Sequence, residues 1–159
     1  MDILFHTGDA VFSYRVAGVL AEDGRVLLQR AQGDEGYAFP GGHVAFGETN
    51  AETLAREFRE ETGVDIAVGP LMWVGEIFFP WRGQPCHQIC LYYRVTQGEP
   101  RMPRQAFWGV DALEGAETKV RFEWIPLHEL NGLPLYPPQA AAFLQEPDRG
   151  VRHFVYKEA

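Results

Sequence analysis

Cysteine is nearly absent: Cys86 and Cys90 are the only two in 159 residues. So few thiols exclude the disulfide framework of a small secreted domain. Positive charge is also short, the formal net charge being -8. This argues against general attraction to nucleic acid or an anionic membrane, both of which are held by basic surface. Any anionic substrate must then be received by local cations. No apolar run is long enough to span a bilayer, no basic N-terminal stretch leads into a long apolar one, and there is neither a fixed-period repeat nor a low-complexity linker. We therefore expect one domain over residues 1–159, in the reducing cytoplasm, with no nucleic acid and no membrane among its partners.

What is present is a core. Hydrophobic residues make up 46% of the chain and aromatics 13%, which places it among globular proteins and excludes disorder. Runs rich in Val and Leu at Phe12 to Leu20 and Arg25 to Arg30, separated by Glu22-Asp23-Gly24, predict two strands of one sheet, since Asp-Gly is a strong turn signal. Further β-rich runs cover Ile66 to Phe79 and His87 to Thr96, with Pro80 to Pro85 as a hairpin connection, and Val120 to Pro126. Gln97 to Ala116, rich in Gly, Pro and polar residues, is predicted to be a long surface loop, a kind of segment that often serves function. Short helices are predicted at Leu127 to Leu130 and Pro138 to Gln145, and an edge strand at the end of the chain. One interior helix between strands followed by a terminal helix fits an α/β (α+β) fold, with helices on the two faces of a mixed sheet.

The interior helix carries a peculiarity. Its ends are written in the sequence: Thr49 and Glu52 form a T-x-x-E capping box, and Gly63 suits a left-handed residue just past the C-terminus. At roughly 100° per residue, Glu57, Glu60 and Glu61 crowd into one arc bordering the face made by Ala51, Leu54, Ala55 and Phe58. Like charges one turn apart weaken a helix, so something must compensate them. Hard dications such as Mg²⁺ take oxygen ligands, commonly one or two carboxylates plus substrate phosphates. The segment Tyr37 to Thr49, with Pro40 and glycines 36, 41, 42 and 47, adds backbone groups next to the helix N-terminus, where negative charge is favoured.

Gly42, Glu48, Arg56, Glu57, Phe58, Glu60, Glu61, Gly63 and Val64 match the pattern G-x5-E-x7-R-E-U-x-E-E-x-G-U at every position, and by this the chain resembles the Nudix (MutT-like) hydrolases. Phe39 to Gly42 before the box and Glu123 to Leu127 after it are also similar to the family. The resemblance implies a Nudix-type α/β/α sandwich with a mixed sheet, and hydrolysis of a nucleoside diphosphate linked to another moiety with Mg²⁺, or Mn²⁺ in its place. It also implies metal ligation by Glu57, Glu60, Glu61 and the carbonyl of Gly41, and pairing of Glu48 with Arg56 to orient the loop. The general base is Glu57 or a glutamate outside the box, for which Glu117 is preferred over Glu99 and Glu114.

Among the aromatics, Phe39, Trp81 and Trp108 are candidates to hold a nucleobase, Trp81 and Trp108 because they are expected in loops. Tyr37 and His43 flank the glycine loop and could either touch substrate or pack it. Cys86-His87-x-x-Cys90 lacks the four ligands of a structural zinc site, and on a strand His87 points away from both cysteines. Pro80, sixteen residues beyond Val64, is similar to a marker of the family's ADP-ribose pyrophosphatases. ADP-ribose or a nucleotide sugar is thus the favoured substrate, with nucleoside triphosphates, oxidised ones included, as the alternative and a non-catalytic nucleotide sensor as a second. A homodimer is expected from the resemblance alone.

Overall fold

The computed structural model describes residues 1–159. Alternating buried and exposed positions build its strands. They are β1 (Leu4–His6), β2 (Val11–Val19), β3 (Ala21–Glu22), β4 (Arg25–Ala31), β5 (Gly41–His43), β6 (Ile66–Trp81), β7 (Gln84–Gln97), β8 (Phe107–Leu113), β9 (Ala116–Pro126) and β10 (Arg152–Lys157). Two helices join them, α1 (Asn50–Thr62) and α2 (Ala140–Gln145), with a 3-10 turn at Leu127–Gly132. A mixed sheet runs β1-β2-β7-β6-β10, with β5 also paired to β2. Its β2·β7 and β6·β10 ladders are parallel and the others antiparallel. A second, antiparallel sheet runs β3-β4-β9-β8.

The expectation of a mixed sheet between helices holds. Val16 of β2 and Leu20 just past it belong to a cluster with Leu54 and Phe58 of α1, while Ala17 and Val19 of β2 belong to one with Ala140 and Ala141 of α2. Gly18 lets α1 approach: a Cβ there would lie 2.7 Å from the Phe58 ring. Helix α1 ends as its sequence dictates, with both hydrogen bonds of the Thr49/Glu52 capping box made and Gly63 at φ 76°.

Three expectations are corrected. The runs on either side of Asp23-Gly24 lie in different sheets, because β2 leaves the mixed sheet at Leu20 and only the short β3 pairs with β4 across that turn. The stretch read as one loop from Gln97 to Ala116 is a strand in its second half: β8 pairs with β9 through a turn at Glu114 and Gly115, both at positive φ. The composition that suggested a loop comes from the turn and from Gln97 to Ala106. The hairpin between β6 and β7 turns more tightly than expected, at Arg82 and Gly83, also at positive φ, so that Pro80 and Trp81 lie within β6.

Candidate active site

Helix α1 places Glu57 and Glu61 one turn apart on its inner side, and β8 brings Asp111 to them. One carboxylate oxygen from each of the three lies within 4.8 Å of the others. Two glycines permit this. A Cβ on Gly42 would lie 2.3 Å from the Glu57 carboxyl carbon, and one on Gly109 would lie 2.3 Å from the Glu61 backbone oxygen. Both elements can therefore close on the acidic side of α1 only where a side chain is missing.

Glu61 is buried, and neither of its carboxylate oxygens has a hydrogen-bond partner. Burial, then Asp111 and Glu57, push its pKa up to about 9. Burial also raises Glu57, to about 7, although Arg56 pulls the other way. Asp111 is raised for the same first reason. A buried carboxylate with no donor is costly, and oxygen-only ligands of this kind suit a hard dication. The residues therefore fit Mg²⁺ or Mn²⁺. Gly41 and Gly42 line the small cavity, about 40 Å³, that also touches Glu57 and Asp111.

The remaining box residues fix the frame. Arg56 donates to both carboxylate oxygens of Glu48, each at 2.9 Å, and the Thr53 hydroxyl donates to Glu48 at 2.8 Å. The Arg56 hydrogen bonds outweigh burial and hold Glu48 below the usual carboxylate range. Glu60 turns outward: its side chain is 58% exposed and paired to Arg56 at 3.3 Å. It stands outside the carboxylate cluster because Glu57 and Glu61 occupy the inner side of the helix.

Beside the cluster lies a cavity of about 350 Å³, walled by Ile77, Phe79 and Trp81 of β6, Tyr92 of β7, Tyr136 and Tyr156. Arg15 lies in its wall and in that of the smaller cavity, as do His43 and Asp111. The Arg15 guanidinium donates to the Phe39 carbonyl at 2.9 Å. His43 is no second cation, since burial and then Arg15 push its pKa down to about 4. It sits 2.8 Å from the Ser13 hydroxyl, which accepts from Gln88 at 2.9 Å. Arg15 is thus the one permanent cation in the wall.

Other candidates lie elsewhere. Phe39 is fully buried between Trp73 and Tyr92 and has no surface to offer a base. Trp108 is on β8, not in a loop, and the alternation that turns Asp111 inward turns Trp108 out, 55% exposed. Glu117 lies inside β9, exposed and outside the cluster, rather than ahead of the strand. Glu99 is exposed in the loop after β7, and Glu114 sits in the β8–β9 turn 2.9 Å from His6. Tyr37 packs in the core, whereas Trp81 does face the cavity. His87 is exposed between buried Cys86 and Cys90, as strand alternation requires. Asp111 and Arg15 were the residues missed. Each is a lone charge at an inward position of an alternating strand, Phe107–Gly109–Asp111–Leu113 and Val11–Ser13–Arg15–Ala17, and that was the signal available.

The NUDIX domain family model matches residues 12–146. The chain belongs to the Nudix family. Two curated proteins are similar to a part of it. An RNA pyrophosphohydrolase of Halorhodospira halophila (strain DSM 244 / SL1) is 47% identical over 53 residues, 31% of this chain and 29% of that protein. A CTP pyrophosphohydrolase of Escherichia coli (strain K12) is 40% identical over 58 residues, 34% of this chain and 43% of that protein. The match to this Nudix chain thus spans less than half the length of either relative. Among solved structures, a MutT protein from Bacillus halodurans superposes with a TM-score of 0.64 at 24% identity, covering 91% of this chain and 90% of that one, which shows the shared fold. No helix is long and apolar enough to cross a membrane.

Proposed function

We propose that this protein is a divalent-metal-dependent pyrophosphohydrolase acting on a nucleoside diphosphate linked to a further group, with ADP-ribose or a nucleotide sugar as substrate and residues 1–159 as one catalytic domain. The observation that carries the reading is Glu61: a buried carboxylate with two unpartnered oxygens, gathered with Glu57 and Asp111 beside an aromatic cavity. Glu57, Glu61 and Asp111 would hold the dication, Mg²⁺ or Mn²⁺, with the Gly41 carbonyl close by. When bound, such an ion lowers the pKa of water and offsets charge on phosphate oxygens.

In this reading the nucleobase stacks in the cavity, which has room for one nucleoside, against Trp81, Tyr136 and Tyr156. Arg15 receives a phosphate oxygen between cavity and carboxylates, the local cation that a chain of charge -8 needs. A water oxygen bonds to phosphorus as the bridging P–O bond breaks, and Glu57 or Asp111 takes the water's proton. The Glu48–Arg56 pair keeps the loop and helix in register, and Glu60 supports it through Arg56. This reading takes the cytoplasm as the enzyme's compartment.

A second reading, hydrolysis of nucleoside triphosphates, is favoured by the name of one curated relative, a CTP pyrophosphohydrolase. The purified protein incubated with Mg²⁺ and a panel of ADP-ribose, nucleotide sugars, dinucleotides and triphosphates separates them. ADP-ribose as preferred substrate gives AMP and ribose 5-phosphate, and a triphosphate gives pyrophosphate. Turnover that survives both Glu57→Gln and Glu61→Gln would sink the role given to these carboxylates, and nucleotide binding with no turnover at all would sink the hydrolase assignment.

A further inference from the structure

The aromatic cavity lies along the mixed sheet, and the strand registers fix where its polar groups stand. Arg15 of β2 pairs with His43 of β5, and both also line the small cavity that touches Glu57 and Asp111. Two residues earlier on β2, Ser13 pairs with Gln88 of β7, Gln88 with Ile77 of β6, and Ile77 with Tyr156 of β10. Glu158 follows on the same edge, its backbone N–H donating to the Phe78 carbonyl at 2.9 Å. Neighbouring strands lie about 4.8 Å apart, so Gln88 stands about 5 Å and Glu158 about 14 Å across the sheet from the strand that carries Arg15. A nucleotide with its phosphate at Arg15 therefore extends over Gln88 toward Glu158.

Side chains that turn freely accept any base, whereas groups of fixed sign select one. Gln29 lines the cavity with an amide oxygen that has no partner, so nothing holds that amide in one orientation. The Tyr136 and Tyr156 hydroxyls donate or accept alike. Trp81 Nε1 is enclosed in the wall, out of a ligand's reach. Gln88 differs from all of these. Its amide nitrogen donates to the Ser13 hydroxyl at 2.9 Å, and Ser13, fully buried, is fixed in turn by His43 Nε2 at 2.8 Å. The nitrogen is committed to the wall, and the oxygen is left for the cavity that Gln88 lines. The Glu158 carboxylate lines the same cavity and offers acceptors alone. Away from Arg15, His43 and Asp111, the side-chain groups of fixed sign within a ligand's reach are thus both acceptors.

We propose that the cavity selects a nucleotide whose base carries an exocyclic amino group, as adenine and cytosine do, with Gln88 and Glu158 as the discriminating acceptors and Ser13 as the residue that positions Gln88. This selection presupposes the reading above in which the cavity holds the nucleoside. Hypoxanthine and uracil put a carbonyl oxygen where adenine and cytosine have the amine, and an acceptor facing an acceptor leaves both desolvated and unpaired. Gln29 turns to suit the ring nitrogen beside the amine.

Isothermal titration of the full chain in Mg²⁺ with AMP, IMP, CMP and UMP tests this without requiring turnover. AMP is expected to bind at least about 10-fold tighter than IMP, and CMP than UMP, the scale of one hydrogen bond to a charged or fixed acceptor. Glu158→Gln gives the base an amide that can turn, and Ser13→Ala frees the Gln88 amide to turn. Each is expected to cut the preference to about 3-fold or less, chiefly by tighter IMP and UMP binding. Glu158 is exposed, so its variant serves if Ser13→Ala does not fold, which the melting temperature reports. Equal affinity of the wild type for amino and deaminated nucleotides, a preference unchanged by both substitutions, or a loss shared by all four nucleotides in both variants overturns the proposal. Turnover of ADP-ribose without any base preference overturns it and leaves the hydrolase assignment standing, whereas selective binding without turnover does the reverse. A wild type that binds none of the four overturns it together with the placing of the nucleoside in this cavity.

Discussion

Helix α1 and the β8–β9 hairpin meet at the same carboxylates, yet one is specified locally and the other is not. Helix α1 has its cap, its buried face and its left-handed exit within Thr49 to Gly63. Strand β8 has one strand neighbour, β9, and reaches the site through Gly109 and Asp111 packed against α1. The difference teaches that a single helix turn can supply two metal-type ligands by spacing alone, whereas a third from elsewhere depends on how two sheets are set against each other.

The sharpest break in this comparison comes from α1. Glu61→Gln and Glu57→Gln are each expected to lower turnover by at least about 100-fold, the lower range for a group that handles a proton or the ion that activates water. A steady-state assay of either variant with near wild-type turnover would remove α1 from the chemistry.

Asp111→Asn is expected to lower turnover by about 10- to 100-fold and to raise the Mg²⁺ concentration needed for half-maximal rate, while Glu117→Gln changes neither. The reverse result would return the role to the exposed glutamate of β9 and leave Asp111 as a bystander.

Metal-free protein tests the two regions together through pH. In the fold Glu61 is raised from 4.5 to about 9 and Glu57 from 4.5 to about 7. Between the unfolded and folded values the native state binds more protons, so this contribution is full below about pH 4.5 and is lost as pH rises through 7 and then 9. The melting temperature without metal should therefore fall from pH 5 to pH 9. Glu61→Gln should flatten that slope, and saturating Mg²⁺ should restore stability most at the alkaline end. A melting curve that does not respond to Mg²⁺ at pH 9 would contradict the metal reading.

Gly63→Ala, at φ 76°, is expected to cost about 1–2 kcal/mol, or a few degrees of melting temperature in a chain of this size. Removing the helix cap with Thr49→Ala is the smallest change, about 1 kcal/mol, with turnover per folded molecule preserved. Large losses of activity from either would mean that α1 positions its glutamates less autonomously than its caps imply.

Legibility follows the same line. The capping box and the glycine exit were open to reading because each depends on neighbours within about a dozen residues, whereas the Glu48–Arg56 pair was implied by the family resemblance. The split of β2 and β4 between two sheets was not, since the Asp23-Gly24 turn looks the same whether β3 or β2 is the partner. Strand β8 was obscured by the turn residues around it. Phe39 and Trp108 illustrate the limit for single side chains: both are large aromatics able to stack on a base, and burial alone sends one to the core and the other to solvent.

By itself the sequence determined the helix, its ends and the carboxylate spacing, because hydrogen bonds and side-chain periodicity within one element act over a few residues. Only the tertiary structure decided that Glu60 faces water while Glu61 is buried, that Asp111 completes the cluster, and that Arg15 is the cation beside the cavity. Those outcomes depend on which faces of two sheets and a helix exclude water from one another, and desolvation is a property of the assembled layers.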